Sequence, residues 1–389
     1  MNQNKFGIRT RAIHSGQGPD PHTGAVMTPI YATSTFAQES PGVTKGYEYS
    51  RSGNPTRTAL ESCLTSMEEG ASGYAFASGL AAETCLLELL PKDSHIIALD
   101  DLYGGTFRLL DKVKRISSGL EITFLDLKNP KAISSAIQKN TKMIWVETPS
   151  NPLLKIIDLE MIAETAKKHG LISVCDNTFA TPILQRPLTL GFDVVVHSAT
   201  KYLNGHSDII AGALITREKN ELSDRIGFLQ NATGAILSPF DSFLLLRGLK
   251  TLPLRMGAHT ANATEIAHFL EADSRIERVI YPGLSSHPDY QLAQKQMEMA
   301  GGMITFFIKG GIEESKLFLQ RLKLFSLAES LGGVESLAEH PAIMTHASIP
   351  AEMRKKIGIE DNLIRLSVGI EDVQDLKDDI SAALDFKNK

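Results

Sequence analysis

The chain has 389 residues and carries 40 Lys and Arg against 45 Asp and Glu, a formal net charge of 40 − 45 = −5. Apolar residues make up 42% and charged residues 22%, ordinary globular usage that argues against a disordered chain. Slight acidity gives no general attraction to nucleic acid or an anionic membrane, and no apolar run approaches the ~20 residues that span a bilayer.

The segment Met1 to Arg11 is polar and has no signal-peptide core. Cys63, Cys85 and Cys175 form no C-x-x-C pair, which suits a reducing compartment. The expectation is a soluble cytoplasmic protein with two or three domains. Residues 1–55 are dense in Gly and Pro and read as an extended arm, of the kind that lies across a second subunit.

Asn54-Pro55-Thr56 signals a helix start, with Leu60, Leu64 and Met67 on one stripe. Short apolar runs follow at His95–Leu99, Met143–Val146, Leu171–Cys175 and Asp193–Val196, with a helix over Leu159–His169 ended by Gly170. Near-continuous apolar strands separated by helices predict an α/β domain over 56–250, built on a mostly parallel sheet. Beyond it, an amphipathic stretch at Ala258–Ala272, strands at Arg278–Tyr281, Gly302–Ile308 and Asn362–Val368, and a helix at Glu313–Leu322 predict a smaller α+β domain over 251–389.

Chemistry concentrates at the predicted strand ends. Lys201 follows the strand that ends at His197-Ser198, and in an open α/β sheet ligands bind beyond the carboxyl ends of strands. Most lysines are solvated surface groups; one at such a crevice can instead form a Schiff base once it sheds its proton. Asp176 ends the strand before it. Alone it reads as a turn former, but beside Lys201 it supplies the acid that the ring nitrogen of pyridoxal phosphate needs.

Ser78-Gly79 opens a helix, as a capping box with the following acid, as an anion site, or as both. Tyr49 and Arg51 offer a hydroxyl and a guanidinium for phosphate, and Tyr103 puts a ring at the same end of the sheet. His197 and His206 lack metal-ligand spacing, so no zinc site is expected. Neither a P-loop nor a Rossmann glycine fingerprint occurs.

Tyr49-Ser50-Arg51-Ser52-Gly53-Asn54-Pro55, Ala77-Ser78-Gly79-Leu80-Ala81, Tyr103-Gly104-Gly105-Thr106, Glu147-Thr148-Pro149-Ser150-Asn151-Pro152, Asp176-Asn177-Thr178, Ser198-Ala199-Thr200-Lys201-Tyr202, Glu329-Ser330-Leu331-Gly332-Gly333 and Arg365-Leu366-Ser367 occur in order. In these motifs the chain resembles the Cys/Met-metabolism family of fold-type I pyridoxal-phosphate enzymes, from about Arg9 to Asp372, and most of all its cystathionine γ-lyase and γ-synthase branch.

The resemblance implies pyridoxal phosphate bound covalently to Lys201, which then moves protons. It implies Asp176 on the ring nitrogen, Tyr103 stacked on the ring, and Ser78, Gly79, Leu80, Ser198 and Thr200 around the phosphate. Tyr49 and Arg51 would reach the phosphate of a neighbouring subunit, in a homotetramer built from two active-site-sharing dimers. Arg365, with Asn151 and Ser330, would hold the substrate α-carboxylate, and Arg108 and Glu329 would lie toward its distal end.

Gly105 and Glu329 depart from members resembling methionine γ-lyase, which carry Cys and an apolar residue there. Glu329 departs also from enterobacterial-type β-lyases, which carry an aromatic residue at that position. The implied activity is γ-elimination of cystathionine. The alternatives are γ-replacement on an O-acylated homoserine, then β-elimination, and last a catalytically inactive binding protein.

Overall fold

The computed structural model describes residues 5–347 and 351–385. The extreme ends of the expected arm and C-terminal domain, and residues 348–350, lie outside the described residues.

The larger sheet has seven strands: β1 (Ser72–Phe76), β2 (His95–Leu99), β3 (Glu121–Leu125), β4 (Thr141–Glu147), β5 (Ile172–Asp176), β6 (Val194–Ser198) and β7 (Gly212–Thr216). Their spatial order is β1-β7-β6-β5-β4-β2-β3, and every pairing is parallel except those made by β7. Parallel neighbours require long crossovers. Between β4 and β5 the crossover contains the helix Leu159–His169, capped by the Asp158 side chain and ended by Gly170 at φ 64°, as its sequence predicts. The four apolar runs fall in β2, β4, β5 and β6; β2 coincides with its run and the ends of the others differ by one or two residues. The strands β1, β3 and β7 carry weaker signals and were not among the expectations.

The smaller sheet orders β10 (Ser326–Leu327), β11 (Leu337–Glu339), β12 (Leu363–Ser367), β9 (Met303–Ile308) and β8 (Ile276–Ile280), antiparallel except between β10 and β11. Each sheet has its own apolar core. The helix Leu252–Ala272 joins them, giving Leu252 and Met256 to the first core and Ala263, Ile266, Ala267 and Leu270 to the second. Such shared burial favours a fixed relation between the sheets, because separating them would expose one end of that helix.

Two local expectations need correction. The arm is not wholly extended: Ile8–His14 forms a helix of seven residues, too short for periodicity to reveal. Buried Ala12 and an Arg11–Glu69 ion pair at 2.7 Å anchor it. Ser78 does cap the helix Gly79–Leu87 by accepting from Ala81 N at 3.0 Å. The acid of the supposed capping box, Glu83, turns away to accept from the Thr106 hydroxyl at 3.0 Å. No helix among the described residues is long and apolar enough to cross a membrane.

Candidate active site

A cleft of 630 Å³ opens at the carboxyl ends of β4, β5 and β6 and is closed on its other side by the smaller sheet. Its position follows the rule for open α/β sheets. It gathers Ser78, Gly79, Leu80, Tyr103, Asn151, Asp176, Ser198, Thr200, Lys201, Glu329, Ser330 and Arg365 from the expected set.

Lys201 sits in a tight turn after β6, with its backbone N donating to Ser198 O at 3.2 Å and its Nζ donating to Ser330 Oγ at 2.7 Å. Burial, then the nearby Arg365 charge, brings its amine down to about 8, against the opposite pull of Glu339 and Glu329. An amine so tuned loses its proton readily near neutrality, which carbonyl condensation requires.

At the end of β5, Asp176 is buried and accepts from Thr178 N at 2.9 Å. Burial raises its proton affinity; the Thr178 bonds and His197 oppose the rise. Glu147 stands directly across from Asp176 in the parallel register and accepts from Tyr103 N at 2.9 Å. Glu83 completes a floor of three buried carboxyls, and burial with the Asp176 charge pushes both glutamates well above the usual carboxylate range. Burial disfavours the charged form of both glutamates, while the Thr178 bonds and His197 favour that of Asp176, which makes Asp176 the group best placed to carry charge toward a cationic ring nitrogen.

The anion end lies at the start of Gly79–Leu87, where the first backbone N–H groups of a helix have no intrahelical acceptor. A Cβ at Gly79 would come within 3.0 Å of Ser198 Cβ, so glycine is what lets the helix start approach the Ser198–Thr200 turn. At Gly105 a Cβ would fall 2.3 Å from the Tyr103 ring. Glycine there leaves the ring room to lie over the cleft. An amine that condenses with an aldehyde, a buried acid, an aromatic face and an anion cradle together fit pyridoxal phosphate.

The facing wall of the cleft is built from the smaller sheet. Arg365, on β12, donates from Nη1 to Asn151 Oδ1 at 2.9 Å and from Nη2 to Ser330 O at 2.8 Å. Ser330 holds φ at 101°, a strained conformation for a residue with a Cβ. That strain places its carbonyl on Arg365 and its hydroxyl on Lys201.

Three expected residues do not line this cleft. Arg51 donates to Asn231 O and Oδ1, both at 2.8 Å, and Tyr49 lies beside it, 46% exposed. Arg108 ends the short helix Gly104–Arg108. Its charge is felt at the Tyr103 hydroxyl, which burial raises and Arg108 lowers.

Residues that sequence reasoning passed over surround the site. Glu147 carries the same signal as Asp176, an acid closing an apolar strand, and could have been found by it. Glu339 pairs with Arg365 at 2.9 Å from a strand of only three residues, which no periodicity reveals. Behind Asp176, the buried Glu68 accepts from Asn177 Nδ2 at 3.0 Å and contacts His197 Nε2 at 2.6 Å. His197 is thus a core histidine held through Nε2, with its Nδ1 buried and without a partner, and no metal-holding cluster occurs among the described residues.

Comparison with known proteins agrees with this chemistry. The model of the Cys/Met metabolism PLP-dependent enzyme family matches residues 9–385. A cystathionine beta-lyase of Coxiella burnetii is 57% identical over 98% of this chain and 99% of its own length. A cystathionine gamma-lyase of Dictyostelium discoideum is 52% identical over 98% of each. Among solved structures, that of metB from Corynebacterium glutamicum superposes with a TM-score of 0.96 at 46% identity, covering 99% of both chains. With its family model, its relatives and its fold in agreement, the chain belongs to the Cys/Met metabolism PLP-dependent enzymes, with pyridoxal phosphate as cofactor and carbon–sulfur bond cleavage as its chemistry.

Proposed function

We propose that the protein is a cystathionine γ-lyase, which splits L-cystathionine into L-cysteine, 2-oxobutanoate and ammonia. The observation that supports this most is Lys201: a buried amine, brought to about 8, whose hydrogen-bond partner is a hydroxyl and not a carboxylate. Elimination from Cγ requires protons to leave Cα and then Cβ, and to return. A weakly tethered base near neutral proton affinity can serve each of these transfers in turn. Bound pyridoxal phosphate supplies the electron sink that makes the two carbon acids accessible.

The chain's own residues do the rest. Lys201 would hold the cofactor and move the protons, Asp176 would keep the ring nitrogen charged, and Tyr103 would cover the ring and help deprotonate the substrate amine. Ser78, Gly79, Leu80, Ser198 and Thr200 would hold the phosphate. Arg365, Asn151 and Ser330 would fix the substrate α-carboxylate, and Glu329, with Arg108 beyond it, would face the distal amino-acid head. Tyr49 and Arg51, which face away from their own cleft, would complete that of a second copy in a dimer, two of which form a tetramer.

A β-lyase is the second reading, favoured by the name of the 57%-identical relative. The keto acid released from cystathionine separates the two. 2-Oxobutanoate as the main product supports γ-elimination; pyruvate as the sole keto acid refutes it.

A further inference from the structure

Glu339 is a buried acid beside the cleft to which no role has been given. It sits on β11 directly opposite Arg365 in the antiparallel register of β11 and β12. Its Oε1 lies 2.9 Å from Arg365 Nη1 and accepts from the Thr345 hydroxyl at 2.9 Å. Both members of the pair are almost fully buried, with side chains 2% and 1% exposed. Arg365 lines the cleft and Glu339 does not, so the carboxylate backs the guanidinium from the side away from the ligand.

The pair is also incomplete. Arg365 Nε and Glu339 Oε2 are both buried without a hydrogen-bond partner. A fork-to-fork pair would use such atoms and close the arginine off. Here the charge of the guanidinium is balanced through a single carboxylate oxygen, with Nη2 held by the Ser330 carbonyl and Nε left unpartnered.

We propose that Glu339 is a positioning residue of the substrate clamp: its charge balances Arg365 from behind and shields Lys201 from it. This rests on Arg365 being the group that takes the substrate carboxylate. Removing the acid's charge leaves a buried guanidinium short of a counter-ion. A substrate carboxylate then becomes the replacement counter-ion and binds more tightly.

The same loss is felt at Lys201. The charged groups facing that amine are Arg365, which lowers its proton affinity, and Glu339 and Glu329, which raise it. Glu339 itself faces Arg365, Lys201 and Glu329, with burial raising its proton affinity and Arg365 opposing the rise. His346 lies beyond Thr345, held near 4 by burial and by Arg365, and is neutral in the working range. Glu339→Gln therefore lets Lys201 deprotonate at lower pH.

The test is Glu339→Gln against wild type, with Arg365→Lys as reference. In the holoenzyme, KM for cystathionine is expected to fall about threefold to tenfold in Glu339→Gln, the scale of one partly screened charge. In cofactor-free protein, labelling of Lys201 by an amine reagent, followed across pH by peptide mass spectrometry, is expected to show its midpoint displaced below the wild-type value. Glu339→Asp, which keeps the charge, is expected to return both readouts toward wild type. It also serves as the test variant, with smaller shifts of the same sign, should the Gln variant not fold.

An unchanged or raised KM, or an unmoved midpoint, overturns the inference. If Arg365→Lys leaves KM unchanged, the clamp reading itself fails. If Arg365→Lys raises KM while Glu339→Gln moves nothing, only the role of Glu339 falls.

Discussion

The two sheets offer functional groups in different ways. In the larger sheet Glu147, Asp176 and the Lys201 turn all stand at strand ends, so the chain leaves an apolar run and meets chemistry within a few residues. In the smaller sheet Arg365 sits in the middle of β12, between buried Ile364 and Leu366, and reaches the cleft by strand alternation. The difference extends to charge. At the larger sheet three buried carboxyls meet, those of Glu147, Asp176 and Glu83 from the neighbouring helix, with Asp176 the one placed to face a cationic ring. The smaller one supplies a cation already balanced by Glu339. Under the proposed function, the first side would hold the resident cofactor and the second a substrate carboxylate that comes and goes.

The contrast is broken most severely at Lys201. Lys201→Ala is expected to lower kcat about 10³-fold or more, since both the covalent attachment and the proton carrier are lost. Binding of a substrate-like carboxylate, measured by calorimetry, should survive, because Arg365 belongs to the other sheet. Loss of both together would refute the division of labour.

Next in size is Gly105→Ala, whose Cβ would meet the Tyr103 ring at 2.3 Å and displace it. A fall in kcat of about tenfold is expected, with Tm little changed, because a surface ring can move without opening the core. An unchanged kcat would mean that the ring's placement is not needed for turnover.

The last effect is on stability and not on rate, and concerns pH in the cofactor-free protein. Lys201 titrates near 8 when folded against an ordinary 10.5 when unfolded. Between those values the unfolded chain binds a proton that the folded one does not, so this residue makes stability rise with pH across that window. Below about 8 both states are charged and the burial cost is felt in full. Lys201→Met should remove this rise, as read from urea midpoints between pH 7.5 and 10.5; an identical pH slope in both proteins would show that Lys201 is not depressed.

How much of this was legible in the sequence depends on the kind of placement. Asp176 and Lys201 were visible because an apolar β-branched run followed by polar residues marks a strand end, and strand ends of parallel sheets are where ligands sit. The helix Leu159–His169 was visible through its periodicity and its Gly170 stop. Glu339 was not, because a three-residue strand has no pattern and its importance lies in what stands opposite it. Of the readings offered for Ser78 the cap holds and the reciprocal acid does not, because Glu83 stands five residues on, beyond the spacing of a capping box, and accepts from Thr106. Tyr49 and Arg51 were legible as a phosphate-binding pair by their chemistry, while their reach to the phosphate of a neighbouring subunit came from family resemblance; within one chain Arg51 bonds Asn231 and Tyr49 is exposed.

The central claim is that one lysine relays protons at two successive carbons. Turnover of L-cystathionine by the holoenzyme in D2O, followed by proton NMR, tests it most directly. The account predicts 2-oxobutanoate as product and unreacted L-cystathionine that gains deuterium at Cα and Cβ with the wild-type enzyme and at neither carbon with Lys201→Ala. Pyruvate as the sole keto acid, or equal deuterium entry at both carbons with Lys201→Ala, would contradict it.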